Sequence, residues 1–111
     1  MVVDRYELTR NEQVNVISTS SVVADARGSN VKRIVYSVRN TSGDGSVITV
    51  KQGFGLAVAS SGIVLKDGEG YTDSSESGYE CYQGSVSAIS TTSTGKLSIM
   101  ERCSEGDGNG F

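Results

Sequence analysis

The chain has 111 residues, a formal net charge of −3, 36% hydrophobic residues, and no histidine, proline or tryptophan. This length supplies one small hydrophobic core and leaves no room for a second domain. Without histidine the chain cannot form a Ser-His-Asp triad, a Cys-His pair or a histidine metal site. We therefore predict that the protein is not an enzyme and that it holds no metal and no cofactor.

Alternation of apolar and polar residues dominates the chain, and helical periodicity is almost absent. We predict that residues 1–11 are an N-terminal arm that becomes ordered on binding, and that a first strand covers residues 13–18. Residues 20–28 are predicted to be a connection because their apolar run is too short for a stable helix. The folded domain is expected to span residues 12–103.

Residues 31–40 are the clearest predicted strand, in which Ile34, Tyr36 and Val38 share one face. The segment that follows, 41–45, reads Thr-Ser-Gly-Asp-Gly, and these residue types favour a tight turn. Residues 46–52 alternate again. The pattern therefore predicts a β-hairpin between the two segments.

The second half of the chain adds several short predicted strands separated by loops rich in glycine and serine: 56–59, 63–66, 79–83, 84–90 and 96–102. About eight short strands predict an all-β fold, an antiparallel β-sandwich or jelly roll, because isolated hairpins cannot bury their apolar faces. The glycine-rich segment 104–111 is predicted to be a flexible tail.

The two cysteines, Cys81 and Cys103, have no metal-ligand spacing. A hairpin of 84–90 with 96–102 that pairs Ser90 with Lys96 would place Cys103 opposite Gln83, two residues from Cys81. A diagonal approach could then allow a disulfide. Two free buried thiols are the alternative that we favour, because the chain shows no secretory signal.

Charge is unevenly distributed along the sequence. Seven basic and five acidic residues occur up to residue 65, whereas three basic and eight acidic residues follow it. Such an imbalance is typical of a domain with one face toward a partner. The basic residues are too few for a nucleic-acid site, and the longest apolar run, 56–59, is too short to cross a membrane.

Three tyrosines lie within twelve residues, namely Tyr71, Tyr79 and Tyr82. Tyrosines in Gly/Ser-rich loops can stack on sugar rings or anchor a protein partner. The alternative interpretation is that at least one of them belongs to the core.

Four segments together resemble a known class of proteins. They are RIVYSVRNTS at 33–42, VITV at 47–50, GIVLKDGE at 62–69 and YQGSVSAI at 82–89. In this order they are similar to the small β-sandwich structural proteins of tailed bacteriophages, including head decoration or cement proteins.

The resemblance implies a capsid decoration protein on the virion exterior, a homotrimer that binds the major capsid protein and stabilises contacts between its subunits. Under this interpretation Arg27, Lys32 and Arg33 are expected to face the capsid. The alternative is a receptor- or carbohydrate-binding module of a phage fibre or tail that uses the three tyrosines. Neither interpretation involves nucleic acid or a membrane.

Overall fold

A computed structural model describes residues 6–26, 31–53, 55–74 and 81–105 of the chain. All regular elements in these ranges are strands, and the described residues contain no helix that could cross a membrane. In chain order the eight strands are β1 (Tyr6–Val16), β2 (Ser21–Ala24), β3 (Val31–Asn40), β4 (Ile48–Gln52), β5 (Ile63–Leu65), β6 (Gly70–Ser74), β7 (Val86–Ser90) and β8 (Gly95–Glu105).

The strands form two four-stranded antiparallel sheets. Sheet A has the order β1-β8-β3-β6, and sheet B has the order β2-β7-β4-β5. All but one of the connections between consecutive strands cross from one sheet to the other, which is the topology of an eight-stranded jelly roll. The predicted all-β sandwich or jelly roll of about eight strands is confirmed.

Both predicted hairpins are wrong, although the turns lie where the sequence placed them. Strand β3 pairs with β6 and β8, whereas β4 pairs with β5 and β7, so the two strands lie in opposite sheets. Strands β7 and β8 are separated in the same way. Each turn instead carries the chain from one sheet to the other, so that a sheet lies on each side of the core.

Asn40 shows how the first of these turns becomes a corner between the sheets. Its buried side-chain amide donates hydrogen bonds to the carbonyl oxygens of Ser46 (2.8 Å) and Leu65 (2.9 Å). Its side-chain oxygen accepts a hydrogen bond from the backbone N–H of Ser42 at 3.1 Å. One side chain therefore satisfies backbone groups that a hairpin ladder would otherwise pair.

Several element boundaries differ from the prediction. Strand β1 begins at Tyr6, so it crosses the boundary placed at residue 11, and β8 continues to Glu105 beyond the boundary placed at 103. Strands β2 and β6 were not predicted. Residues 56–59 form no strand beyond an isolated bridge between Val58 and Ser61. Residues 81–83 are irregular, and the rest of the predicted strand 79–83 lies outside the described residues.

A β-bulge in β3 corrects the predicted facing of its first residues. Arg33 lies opposite Cys103 and Val35 lies opposite Arg102, so Ile34 is the extra residue between two consecutive partners. The bulge shifts the alternation by one position. Arg33, rather than Ile34, is therefore buried in the interior with Tyr36.

The core lies between the sheets and draws residues from nearly every strand. A hydrogen bond from the side-chain amide of Gln52 on β4 to the hydroxyl of Tyr36 on β3 also links the two sheets. The buried apolar cluster consists of Val16, Val23, Ala24, Tyr36, Val38, Ile48, Val50, Leu65, Cys81, Val86, Ala88, Leu97 and Ile99.

Two aspartates tie together the loops at the Asn40 end of the sandwich. The carboxylate of Asp67 accepts hydrogen bonds from the backbone N–H groups of Gly43 and Gly45, each at 3.0 Å. The carboxylate of Asp44 accepts from Ser46 and from the hydroxyl of Thr94. Hydrogen bonds from these hydroxyls and from the backbone lower the pKa of Asp44 to about 2.

We predict that Asn40→Ala lowers the free energy of unfolding by roughly 2–4 kcal/mol, because it leaves two carbonyl oxygens at the corner without their donor. Urea denaturation followed by circular dichroism measures this loss. The control is Thr41→Ala, since the hydroxyl of Thr41 accepts only an exposed hydrogen bond from Gln13 among the contacts described. Equal stability of the two variants would contradict the role assigned to Asn40.

We also predict a pH-dependent contribution from Asp44. Its pKa in the folded chain lies below the ordinary value of 3.8, so its stabilising effect is present above that value and is lost as the pH falls through about 2. The difference in stability between the wild type and Asp44→Asn should therefore be constant above about pH 5 and shrink toward pH 2. A difference that does not vary over this range in urea titrations would refute the prediction.

Candidate functional site

Arg33 joins the two sheets at the end of the sandwich opposite Asn40. Its buried guanidinium forms an ion pair with Glu101 of β8, with 2.9 Å between Nε and Oε2. Nη1 donates to the carbonyl oxygens of Tyr82 (2.6 Å) and Gly84 (3.1 Å), and Nη2 donates to that of Asp25 (2.9 Å). A sheet A residue thus holds segments that lead into and out of sheet B.

Backbone and ring contacts complete this cluster. The N–H of Arg33 donates to the side-chain oxygen of Gln83 at 2.7 Å, and the side-chain nitrogen of Gln83 donates back to the carbonyl of Arg33 at 2.8 Å. The guanidinium carbon lies 5.3 Å from the centroid of the Tyr36 ring, within cation–π distance. These contacts therefore hold both the backbone and the side chain of Arg33 in place.

Glu101 also receives a second arginine from the neighbouring strand. Nη1 of Arg10 on β1 lies 3.3 Å from Glu101, and Nη2 lies 2.9 Å from Glu12. These contacts raise the pKa of Arg10, and the Arg10 hydrogen bond lowers the pKa of the exposed Glu12. The carboxylate of Glu101 is thus buried between two guanidinium groups, as a buried charge requires.

The structure separates the three cations that were predicted to face the capsid. Arg33 is 1% exposed, so that prediction is wrong: the bulge turns the side chain inward, where Glu101 and three carbonyl groups bind it. Lys32 is exposed on the outer face of sheet A. Arg27 lies outside the described residues.

The predicted tyrosine site does not form as one surface. Tyr71 on β6 is half-buried, packs on the core and lies 6.1 Å from the ring of Tyr36, centroid to centroid. Tyr82 also packs on the core, and its hydroxyl donates to the carbonyl of Ser85 at 3.0 Å. Tyr79 lies outside the described residues. Tyr71 and Tyr82 therefore support the core.

The two cysteines are buried free thiols. Cys103 lies opposite Arg33 of β3, so its predicted place opposite Gln83 is wrong, because β7 and β8 belong to different sheets. Burial and the nearby charge of Asp73 raise the pKa of Cys81 to about 11, which keeps this thiol protonated at neutral pH. No group of three metal-ligating side chains occurs among the residues described.

The outer face of sheet A carries a surface that the sequence did not reveal. Alternation along the strands places four cations on it, which we call the cationic face: Lys32, Arg39, Lys96 and Arg102. Strand pairing places one acidic residue, Glu7, in the same outward alternation, opposite Ser104, so the four cations outnumber the acidic residues at these positions. This excess contrasts with the net charge of −3 of the whole chain.

A shallow groove of about 440 Å³ crosses the cationic face. Arg39 is held at its edge by a hydrogen bond from Nη1 to the carbonyl of Gly68 at 2.6 Å, and Nζ of Lys96 donates to the side chain of Asn15 at 3.2 Å. The groove has polar and apolar surface in similar shares, and it is lined by Asn11, Glu12, Gln13, Ser37, Arg39, Thr41, Ser98, Ile99 and Met100.

The outer side of sheet B has a different character. The loop between β4 and β5 covers part of the sheet, because the backbone N–H of Ser60 donates to the hydroxyl of the buried Thr49 at 3.0 Å, and Ala57 is buried as well. On this loop and on the two opposite edge strands, β2 and β5, four aliphatic side chains are 42% to 62% exposed, and we call this set the apolar patch: Val22, Leu56, Val58 and Val64.

No protein-family model matches the sequence, and no curated protein matches it. Among solved structures, a chain of Bacillus endospore appendages, described as a novel family of disulfide-linked pili, has a similar fold. The TM-score is 0.57 at 11% sequence identity, and the match covers 90% of this chain and 85% of that chain. At this identity the similarity shows the fold alone.

We predict that Arg33→Leu lowers the free energy of unfolding by roughly 3–5 kcal/mol, because it removes one partner of a buried ion pair. The double variant Arg33→Leu/Glu101→Leu should be more stable than Arg33→Leu, since it also removes the buried carboxylate. Arg39→Leu, an exposed arginine on the same strand, is the control. Chemical denaturation compares the three, and a double variant less stable than Arg33→Leu would contradict the prediction.

Proposed function

We propose that this protein is a virion structural protein, a decoration protein that binds the outside of a phage head and stabilises contacts between major capsid subunits. The four segments that resemble small phage structural proteins support the proposal. The jelly roll agrees with it, because such a rigid two-sheet scaffold offers broad faces to neighbouring proteins.

The observation that carries the proposal is that the sandwich presents two surfaces of different chemistry on its two sheets. The cationic face is polar, whereas the apolar patch is aliphatic, and exposed apolar patches commonly mark protein–protein contacts. A protein that joins neighbouring subunits needs at least two contact surfaces. By binding only the assembled shell, such a protein raises the free energy needed to open the shell.

The solved structure with a similar fold also supports a structural role. That chain belongs to appendages described as pili, which are assemblies of protein subunits. The same kind of scaffold therefore serves assembly in another protein. We extend only this general role to the present chain, since the two sequences share 11% identity.

Association of this chain into a homotrimer is part of the proposal. Three copies around one axis would gain avidity for a shell without a strong contact from each copy. The aliphatic side chains of the apolar patch supply surface of the kind that a contact between copies covers.

A second candidate function is a receptor- or carbohydrate-binding module of a phage fibre or tail. The observation that favours it is the groove on sheet A, whose amide and hydroxyl side chains can form hydrogen bonds with sugar hydroxyl groups. The site would differ from the one first predicted, because Tyr71 and Tyr82 pack on the core. Saturable binding on a glycan array that is lost in Gln13→Ala would favour this candidate.

Binding to capsids tests the proposed decoration function directly. We expect the purified protein to bind saturably to expanded capsids of the phage that encodes it and to raise the temperature at which they open. Co-sedimentation measures the binding, and differential scanning calorimetry with and without the protein measures the stabilisation. The proposal fails if the protein does not co-sediment and the capsids open at the same temperature in both samples.

A further inference from the structure

We infer that the cationic face is a docking surface for an acidic protein surface. Within the proposed function the acidic partner is the major capsid protein, so this assignment of the partner rests on that function. The inference that the face binds an acidic protein surface does not depend on the proposed function.

The basic residues are concentrated on the outer face of sheet A. The chain has ten basic and thirteen acidic residues, yet the outward positions of this sheet face hold four basic residues and one acidic residue, Glu7. An even distribution of an acidic chain's charges would place at least as many acidic as basic residues there. Segregation of this kind gives a face electrostatic complementarity to an acidic partner and speeds the encounter with it.

The cations are spread over the length of the cationic face. Lys96 and Arg102 are six residues apart on β8, about 20 Å at the rise of an extended strand. Arg39 lies between their levels on the adjacent strand β3, opposite Ser98. The cations therefore span a length comparable with the width of a protein–protein contact, and Ser98 and Met100 separate Lys96 from Arg102 along β8.

Two of the four cations, Arg39 and Lys96, are oriented by hydrogen bonds. The hydrogen bond of Arg39 with the carbonyl of Gly68 uses one of the five N–H donors of the guanidinium. The contact of Lys96 with Asn15 likewise uses one of three donors. Side chains that are oriented in this way lose less conformational entropy when a carboxylate binds to them.

The composition of the face favours an acidic protein over a nucleic acid. The outward positions that the structure describes contain no aromatic side chain on which a base could stack. They supply amide and hydroxyl groups, at Asn11 and Ser37 for example, which can pair with the backbone and side chains of another protein. An anionic polysaccharide is the competing ligand, and titration with heparin distinguishes it from an acidic protein.

The test compares two double variants with the same change in net charge. Arg39→Gln/Lys96→Gln removes two cations from the cationic face, and Lys51→Gln/Lys66→Gln removes two cations elsewhere. Circular dichroism and denaturation first establish that both variants are folded. Each protein is then titrated against a fluorescent oligoglutamate peptide, a heparin oligosaccharide and expanded capsids, at low and at physiological ionic strength.

We expect the face variant to bind the oligoglutamate and the capsids roughly fivefold or more weakly than the wild type, with a smaller salt dependence, and the control variant to bind like the wild type. Equal weakening of both variants would overturn the inference, since only net charge would then matter. Preferential binding of heparin through the same face would also overturn it, in favour of an anionic polysaccharide.

The capsid measurements distinguish this inference from the proposed function. If the wild type and both variants bind capsids equally, the docking surface is assigned wrongly and the decoration function stands. If the wild type binds the oligoglutamate through the cationic face but does not bind capsids, the decoration function fails and an acidic partner of another kind remains.

Discussion

The buried ion pair between Arg33 and Glu101 is the interaction on which the end of the sandwich opposite Asn40 depends for its structure. Two charges can remain in a protein interior only when each is paired and its other polar atoms are hydrogen-bonded. The guanidinium meets this condition by binding carbonyl groups of segments that lead out of and into sheet B, at Asp25 and at Tyr82. The pair therefore holds the two sheets together where apolar packing alone would leave backbone groups without partners.

This interior arrangement determines what the surface can offer. With Arg33 and Glu101 paired inside, and with Tyr71 and Tyr82 packed on the core, the chemistry available to a partner lies on the outer faces of the sheets. Sheet A presents cations and amides, and the side of sheet B presents aliphatic side chains. The proposed function uses these two surfaces, because a protein that joins neighbouring subunits must contact both of them.

The sequence was sufficient to predict the fold class but not the pairing of the strands. Alternation located the middle of the chain well, because β3 buries every second residue from Tyr36 to Asn40. The segment 41–45 has the composition of a tight turn, but the same residues suit a corner between sheets, and only the buried amide of Asn40 distinguishes the two. The bulge at Ile34 was equally hidden, since an apolar residue within a strand reads as core.

The candidate site was less predictable than the fold for a related reason. The cationic face gathers residues from β3 and β8, which are far apart in the chain, and local patterns carry no information on which distant strands lie side by side. Strand β6 was missed because Gly70–Ser74 contains a single large apolar residue. The three cations predicted from their closeness in sequence share only Lys32 with the cationic face, because Arg33 is buried and Arg27 lies outside the described residues.

The place of β8 in sheet A has a consequence for how the chain acquires its structure. This strand, the last in the described chain, lies between β1 and β3 and separates them. During synthesis β1 must wait for a segment about ninety residues after its start before it gains its partner, and although β3 can pair with β6 earlier, its other edge waits for the same segment. Folding should accordingly be slow for a domain of this size, because distant loops must close before pairing begins, and the waiting strands are the segments that a chaperone would protect.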